Sequence, residues 1–481
     1  MKKSRIALFS VCALTLLSLP VTLVSVGFGM PSVFSETYYG ELSTMYSKLK
    51  SQTYNKIVVL GNSAVAFGVR SDLLQSELPD YVVTNFGLYG AVGTKAMIDL
   101  SRNEIKSGDI VVLTIEPYQQ TSSLYFSGKE MWRAADSDMS MLSSIPYDHG
   151  SYMVGSFPSY VAEKIKYSSA DEKPMNTGAY SASAFLGHNG EKLDYVTYDR
   201  PYNVMSGGYD SANLPVIGKE VFGAGFIDYL NEYASFVKGK GASIFYGFCP
   251  VNALSVGENA EQKADELYDF LATNLKFPIL GHPDKYFLDY RFFYDNNVHM
   301  NSAGMYHFTD LLAEDLKFAL GKKPVTNIEL PEAPEIPPES VTEEDNSDLD
   351  KFDFEIVEGA TEKYARITKL NEEGKKAAEL TIPSTYEGYP VREFDPTTFQ
   401  NDTVISRITL PSNIHVIYNE SFAGAIRLSA LYFRHDSILG INVGTDFLEG
   451  ADNCYIYLKS TVQIADCAGG WERYQSRIRI Y

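Results

Sequence analysis

Only two tryptophans and four cysteines occur in the 481 residues. Cys12 lies in an N-terminal apolar run and Cys249 follows an apolar strand. Cys454 and Cys467 stand close together near the end. No pair has zinc-ligand spacing, so neither a structural metal nor any cofactor is expected. A Cys454–Cys467 disulfide is open outside the cell, although spacing alone fixes no geometry. Positive charge is also scarce, with 41 Lys and Arg against 61 Asp and Glu and a net charge of −20. That field repels nucleic acid and anionic lipid surfaces, so neither is expected to bind the globular part. What is abundant is tyrosine, 34 residues beside 27 Phe. Packed cores are the ordinary use of such rings, and faces that contact glycans or other polar polymers are the second.

One long apolar run exists. Lys2, Lys3 and Arg5 precede the uncharged stretch Ile6–Gly27. At ~1.5 Å per residue this stretch spans about 33 Å, the thickness of a bilayer core. The basic flank places the N-terminus in the cytoplasm and the rest outside. The expectation is a membrane anchor over 1–27, with a secreted chain as the alternative because Ser25-Val26-Gly27 is a passable cleavage site. Residues 28–54 read as a juxtamembrane segment.

From 55 the pattern is that of alternating strand and helix. Lys56-Ile57-Val58-Val59-Leu60 is a buried strand, ended by Gly61-Asn62-Ser63 and followed by a helix. Tyr81–Thr84 is a second strand, running into Asn85-Phe86-Gly87. A helix over about 94–106 leads to a third, Ile110–Ile115, closed by Glu116-Pro117. Continuous apolar strands separated by helices imply an α/β fold with a doubly wound parallel sheet. Residues 120–215 lose clear periodicity and read as a cap inserted over the sheet. The pattern returns with one helical face from Phe222 to Val237, a strand over Ala242–Phe248 and a helix over about 257–274. The aromatic stretch 286–294 runs into Asp295-Asn296-Asn297-Val298-His299, and Asn301 is placed to cap a last helix near 302–320.

Residues 322–350 carry five prolines, and from Glu332 to Asp350 eight acidic residues and no basic one. Such a composition buries no core and predicts an extended linker with a reach of about 80 Å. Over 351–481 a repeat appears. Phe394, Phe399, Ile405, Ile408 and Leu410 recur 23 positions later as Ile417, Phe422, Leu428, Leu431 and Phe433. Leu380-x-Ile382-Pro383 returns as Ile408-x-Leu410-Pro411, and Trp471 and Tyr474 read as a capping turn. This periodicity predicts a small solenoid.

Ser63 sits where a parallel strand turns into a helix, the place at which a serine hydroxyl stands clear and backbone N–H groups can receive an oxyanion. His299 is the candidate base, with Asp295 or Asn296 to orient its ring. The Ser63 and Gly87 N–H groups are the candidate oxyanion hole; Asn85, Glu116 and Asn296 are further candidates for contacting or modulating the substrate. Within the cap, Arg200, Trp132 and Tyr125 are candidates for substrate contact, although such residues ordinarily serve structure.

Gly61-Asn62-Ser63, Asn85-x-Gly87 and the Asp295–His299 block with Asn301 and Gly304 resemble the sequence blocks of the SGNH/GDSL hydrolase superfamily over roughly 55–321. The resemblance is strongest to membrane-anchored members that assist acyl transfer onto cell-surface polymers. It implies a three-layer SGNH-like sheet domain, a catalytic Ser63, Asp295 and His299, and an oxyanion hole that uses Ser63 and Gly87. It also implies an acyl ester of a cell-surface glycan or related polymer as substrate, and a membrane-bound O-acyltransferase as partner. Two departures stand out. Asn296 holds the position three before the histidine where the family carries Asp. The third strand ends in Glu116-Pro117 rather than in an asparagine-bearing turn, and an ionised Glu116 would oppose an oxyanion. Residues 351–481 resemble BspA-type leucine-rich repeats of bacterial surface proteins, implying a recognition or adhesion module. Two function classes follow: an extracytoplasmic serine esterase or O-acyltransferase, and an adhesion protein with an inactive SGNH scaffold.

Overall fold

The computed structural model describes residues 18–136, 138–170, 173–336, 345–438, 440–462 and 469–481. Four largely buried strands build the first sheet: β1 (Lys56–Gly61), β2 (Val82–Gly87), β3 (Ile110–Ile115) and β4 (Ser243–Phe248). All pairings are parallel and the order is β2-β1-β3-β4. The chain leaves β1 to one side for β2 and returns to the other side for β3, so a topological switch point lies between the carboxyl ends of β1 and β3. Ligands of open α/β sheets bind in that crevice. The second strand runs further than its apolar run foretells, carrying Asn85 and Gly87 inside the sheet.

Helices cover the sheet: α1 (Glu41–Ser51), α2 (Ser63–Gly68), α3 (Ser71–Glu77), α4 (Thr94–Ser101), α5 (Gly128–Ala135), α6 (Gly150–Tyr167), α7 (Phe226–Gly239), α8 (Ala260–Asn274) and α9 (Gly304–Ala319). Two of these correct the sequence reading. Residues 33–51, expected as a juxtamembrane connector, belong to the core: Phe34, Tyr38, Leu42, Met45 and Leu49 are all buried. The cap contains an 18-residue helix, α6, despite Gly155 and Pro158 within it. Only Met153, Tyr160, Val161 and Lys164 of that helix are buried, too narrow a stripe for periodicity to reveal. Its buried Lys164 pairs with Asp136, which also accepts from Ser32 Oγ, the Val33 and Phe34 N–H groups and Tyr160 OH. Burial works against that carboxylate's charge, but these donors hold its pKa below the ordinary value.

A second hydrophobic core, separate from the first, spans Phe352 to Ile478. After the antiparallel pair β5 (Phe352–Glu358) and β6 (Lys363–Leu370) comes a parallel ladder. It contains β7 (Glu379–Thr381), β9 (Arg407–Leu410), β10 (Ala430–Phe433), β11 (Tyr455–Leu458) and β12 (Ile478–Ile480), stacked in chain order; β8 (Tyr389–Phe394) pairs with β6 instead. Ile408 lies beside Leu431 and Leu410 beside Phe433, the 23-residue offset read from the sequence. Leu380 lies beside Ile408, as the Ile-Pro and Leu-Pro signatures require. Trp471 and Tyr474 are buried and pack on Phe433 and Phe447.

The linker is less free than its composition predicts. Asn327 N–H donates to Glu77, Lys317 Nζ to the Val325 carbonyl, and the Pro331 carbonyl contacts His307 Nε2 at 2.8 Å. On its far side Asp345 is held by Ser384 and Arg434. Residues 337–344 lie outside the described residues, as does Cys467 of the candidate disulfide. So does most of the apolar run Ile6–Gly27; the described residues 18–29 are helical. No helix among the described residues is long and apolar enough to cross a membrane.

Candidate active site

Three loops meet at the switch point. The first is the β1–α2 turn. β1 ends at Gly61, where a Cβ would stand 2.2 Å from the Thr114 carbonyl, so only glycine lets β1 lie this close to β3. Ser63 follows as the first residue of α2, partly exposed. The second loop follows β3 and presents Glu116, 3% exposed. The third is the 294–299 loop, whose own Asn297 is locked by reciprocal hydrogen bonds with the backbone of Asp210 (2.9 and 2.7 Å).

His299 and Asp295 come together as the spacing allowed. His299 Nδ1 lies 2.8 Å from Asp295 Oδ1. Asn296 Nδ2 is 2.9 Å from the same nitrogen, but its Oδ1 accepts the Val298 and His299 N–H groups. The amide therefore shapes the loop, and the carboxylate is the group able to orient the ring. With Nδ1–H donated to Asp295, the Nε2 lone pair is left to act as a base. His299 Nε2 is buried and has no hydrogen-bond partner. The imidazole stacks on Phe67 at 4.0 Å between centroids, one turn of α2 beyond Ser63.

Ser63 itself does not bond to His299. Its Oγ donates to Glu116 Oε1 at 2.9 Å, and the Ala64 N–H donates to the same oxygen at 2.8 Å. The Ser63 N–H is directed at Glu116 as well. These are the donors that would receive an oxyanion, so a carboxylate oxygen of the protein sits where that negative charge would form. Burial pushes the Glu116 carboxyl above its usual range, opposed by the Ala64 N–H, the His299 ring and the Ser63 hydroxyl.

The other candidates divide. Gly87 N–H is engaged by Asn85 Oδ1 at 3.2 Å inside β2, so the expected second oxyanion donor is turned to the strand. Asn85 caps α2, donating to the Val65 and Val69 carbonyls (2.8 and 3.1 Å). Neither lines the cleft. Gly90 does, and a Cβ there would stand 3.4 Å from Glu116 Oε2. Arg200 is wholly buried and spends its guanidinium on the Met300, Val196, Tyr198 and Phe67 carbonyls. Burial lowers its pKa to about 10. Trp132 donates Nε1 to the Met153 carbonyl at 2.7 Å in the core. Both serve structure, whereas Tyr125 is half exposed on the cleft.

Sequence reasoning missed Tyr180. Its hydroxyl donates to Asp295 Oδ2 at 2.5 Å and stands 3.2 Å from His299 Nδ1. It belongs to the aperiodic cap, 115 residues from its partner, and nothing local marks it.

Ser63, Tyr180, Asp295, Asn296 and His299 line one open cleft of about 830 Å³. No family model matches the chain, and no curated protein matches it. Among solved structures it is similar to the Bacillus subtilis protein YXIM, at 13% identity and a TM-score of 0.26. The match covers 56% of this chain and 57% of that one, so the chain spans little more than half of that protein. So loose a superposition transfers no residue role, and the reading of the site rests on its own geometry.

Elsewhere, Asp99, Asp148 and His149 could together ligate a cation, but Lys95 Nζ already lies 2.7 Å from Asp99, 2.8 Å from Asp148 and 3.2 Å from His149. An ammonium already serves the two carboxylates.

Proposed function

We propose that the chain is an extracytoplasmic serine esterase or O-acyltransferase of the SGNH type, acting on acyl esters of a cell-surface glycan or related polymer. The observation that carries this reading is the His299 ring: Asp295 and Tyr180 hold its Nδ1 side, and Nε2 is left without a partner in the cleft that also holds Ser63. In the proposed reaction the Ser63 hydroxyl rotates from Glu116 to His299 Nε2 and gives up its proton as Oγ attacks the ester carbonyl. The imidazolium returns that proton to the departing alcohol, leaving an acyl-serine. Water then yields a hydrolase, and a sugar hydroxyl yields a transferase. In this reading residues 33–321 form the three-layer catalytic domain, and 351–481 form a BspA-type leucine-rich-repeat solenoid for recognition. The apolar run 1–27 anchors the protein, and a membrane-bound O-acyltransferase supplies acyl groups across the bilayer.

A second reading has a specific observation in its favour. Glu116 fills the oxyanion cradle, which suits a scaffold that has given up catalysis for adhesion. Labelling with a fluorophosphonate separates the two. The parent protein is expected to label at Ser63, with Ser63→Ala abolishing and His299→Ala nearly abolishing the reaction. A folded parent that does not label at any pH from 5 to 9 refutes the enzyme.

A further inference from the structure

The cleft is not a property of the sheet domain alone. Asn442, Thr445, Gln475 and Ser476, all within the 351–481 repeat region, line the same space as Ser63 and His299. The contact that brings them there is close. Gly440 has φ +87°, and a Cβ on it would stand 2.1 Å from the Val204 carbonyl oxygen. Asn442 Nδ2 donates to the Tyr209 carbonyl at 3.2 Å, and Tyr418 interacts with the Ser211 side chain. The segment 203–213 that receives these contacts also grips the His299 loop. Val204 N–H donates to the Tyr294 carbonyl at 2.9 Å, and Asp210 is bound to Asn297 as described above. The repeat ladder, the 203–213 segment and the catalytic loop form one continuous packed path.

The chemistry of the two walls is consistent. Tyr38, Tyr89, Tyr118, Tyr125, Tyr167 and Tyr180 line the cleft. Three of its cations are neutralised by neighbours on their own wall: Lys129 by Glu163, Arg133 by Glu130 and Glu163, and Arg473 by Asp446 and Glu449; Lys166 has no carboxylate partner among the described residues and its Nζ meets the Tyr167 hydroxyl at 3.3 Å. What remains toward the space is aromatic faces, hydroxyls and amides, with Lys166 the one ammonium not paired to a carboxylate among the described residues. Such a surface recognises polyhydroxylated rings by stacking and hydrogen bonding rather than phosphates or acyl chains.

Resting on the serine acyl-transfer reading, we infer that the repeat ladder is the second wall of the active-site cleft and selects an uncharged carbohydrate chain lying between the two walls. The ladder is then a specificity element of the reaction rather than a separate adhesion module.

The test compares two probes on the full chain: ethyl fluorophosphonate, and a fluorophosphonate carried on cellohexaose. Thr445 is exposed and far in sequence from the catalytic groups, so Thr445→Trp narrows the cleft from the repeat side without touching either core. The parent is expected to react with both probes. Thr445→Trp should leave the ethyl probe within 2-fold and slow the cellohexaose probe at least 10-fold. Equal effects on both probes, no effect on either, or a parent that takes only the ethyl probe overturns the proposal. A parent that takes neither refutes the serine reading itself. The wall is then judged separately by hydroxyl-radical footprinting of 203–213. Gly440→Ala should expose this segment at least 3-fold; an unchanged footprint shows that the ladder does not dock there.

Discussion

Glu116→Gln replaces a buried carboxylate by a neutral group of the same shape at the one point where the active-site geometry conflicts with ester chemistry. In the resting protein Glu116 accepts the Ser63 hydroxyl at 2.9 Å and the Ala64 N–H at 2.8 Å. A tetrahedral oxyanion needs that same N–H, so the two negative oxygens would share a donor at about 4 Å. At an effective dielectric of 20 their repulsion is about 4 kcal/mol. Each 1.36 kcal/mol is tenfold in rate, which makes the penalty about 10³-fold when Glu116 is ionised. The amide removes the charge and is more easily displaced. Ester turnover by Glu116→Gln should therefore exceed that of the parent at alkaline pH by up to about 10³-fold, and the gap should close as pH falls and the parent's Glu116 takes up a proton. The assay is the pH profile of kcat/KM on p-nitrophenyl acetate for both proteins. Stability should move in the same sense. Burial raises the folded-state pKa of Glu116, so the folded chain binds more protons than the unfolded one between the ordinary glutamate value and the raised one. The parent loses stability as pH rises through that window, and Glu116→Gln should not. A variant at least tenfold slower than the parent at every pH, with an unchanged melting curve, would refute the reasoning and make the Glu116 carboxylate a required acceptor for Ser63.

Tyr180→Phe removes the donor to Asp295 Oδ2, a hydrogen bond to a charged group worth about 1.5–3 kcal/mol, and should lower kcat/KM by about tenfold or more with little change in KM. Unaltered kinetics would remove Tyr180 from the site. Lys164→Met leaves Asp136 buried without its cation and should cost about 3–5 kcal/mol in urea unfolding; a loss under 1 kcal/mol would show that the hydrogen bonds to Asp136 suffice. Leu431→Ala hollows the ladder between Ile408 and Ile456 and should cost about 2–5 kcal/mol, detected as a lower unfolding midpoint of the repeat core. A midpoint shifted by less than 1 °C would place Leu431 outside the core.

The sheet strands were legible because each is a short apolar run ended by a polar or glycine-bearing turn. The same regularity placed Ser63 after β1 and Glu116 after β3. The repeat was legible because its 23-residue offset recurs at buried positions, and β9 and β10 pair at that offset. Helix α6 was not, since only one residue in several turns toward the core and Gly155 and Pro158 disguise it. Tyr180 was hidden for a different reason: its role depends on a chain crossing that no local pattern encodes. Motif spacing says nothing about which side of a strand a group faces: in β2 the Gly87 N–H bonds to Asn85, and Asn85 bonds to α2. The linker illustrates the limit of composition. Its charge and proline predict solvation, yet Glu77, Lys317 and His307 hold its first part along the sheet domain.

Tyr38 lines the cleft only nine residues beyond the helix that ends at Gly29. That helix end is also fastened to the body: the Gly27 carbonyl accepts Lys164 Nζ at 3.1 Å, and Phe28 packs on Phe157 and Trp132. Nine residues at full extension cover about 30 Å. With the preceding apolar run held in a bilayer, as the proposed function has it, the reacting serine works at a nearly fixed standoff from the lipid surface. It would reach only those polymer segments that pass through a thin shell next to the membrane, and chains further from the lipid surface would be invisible to it whatever their chemistry. Lengthening the stretch between Gly29 and Val33 would then act as a ruler, shifting the depth at which the polymer is processed while leaving the chemistry untouched.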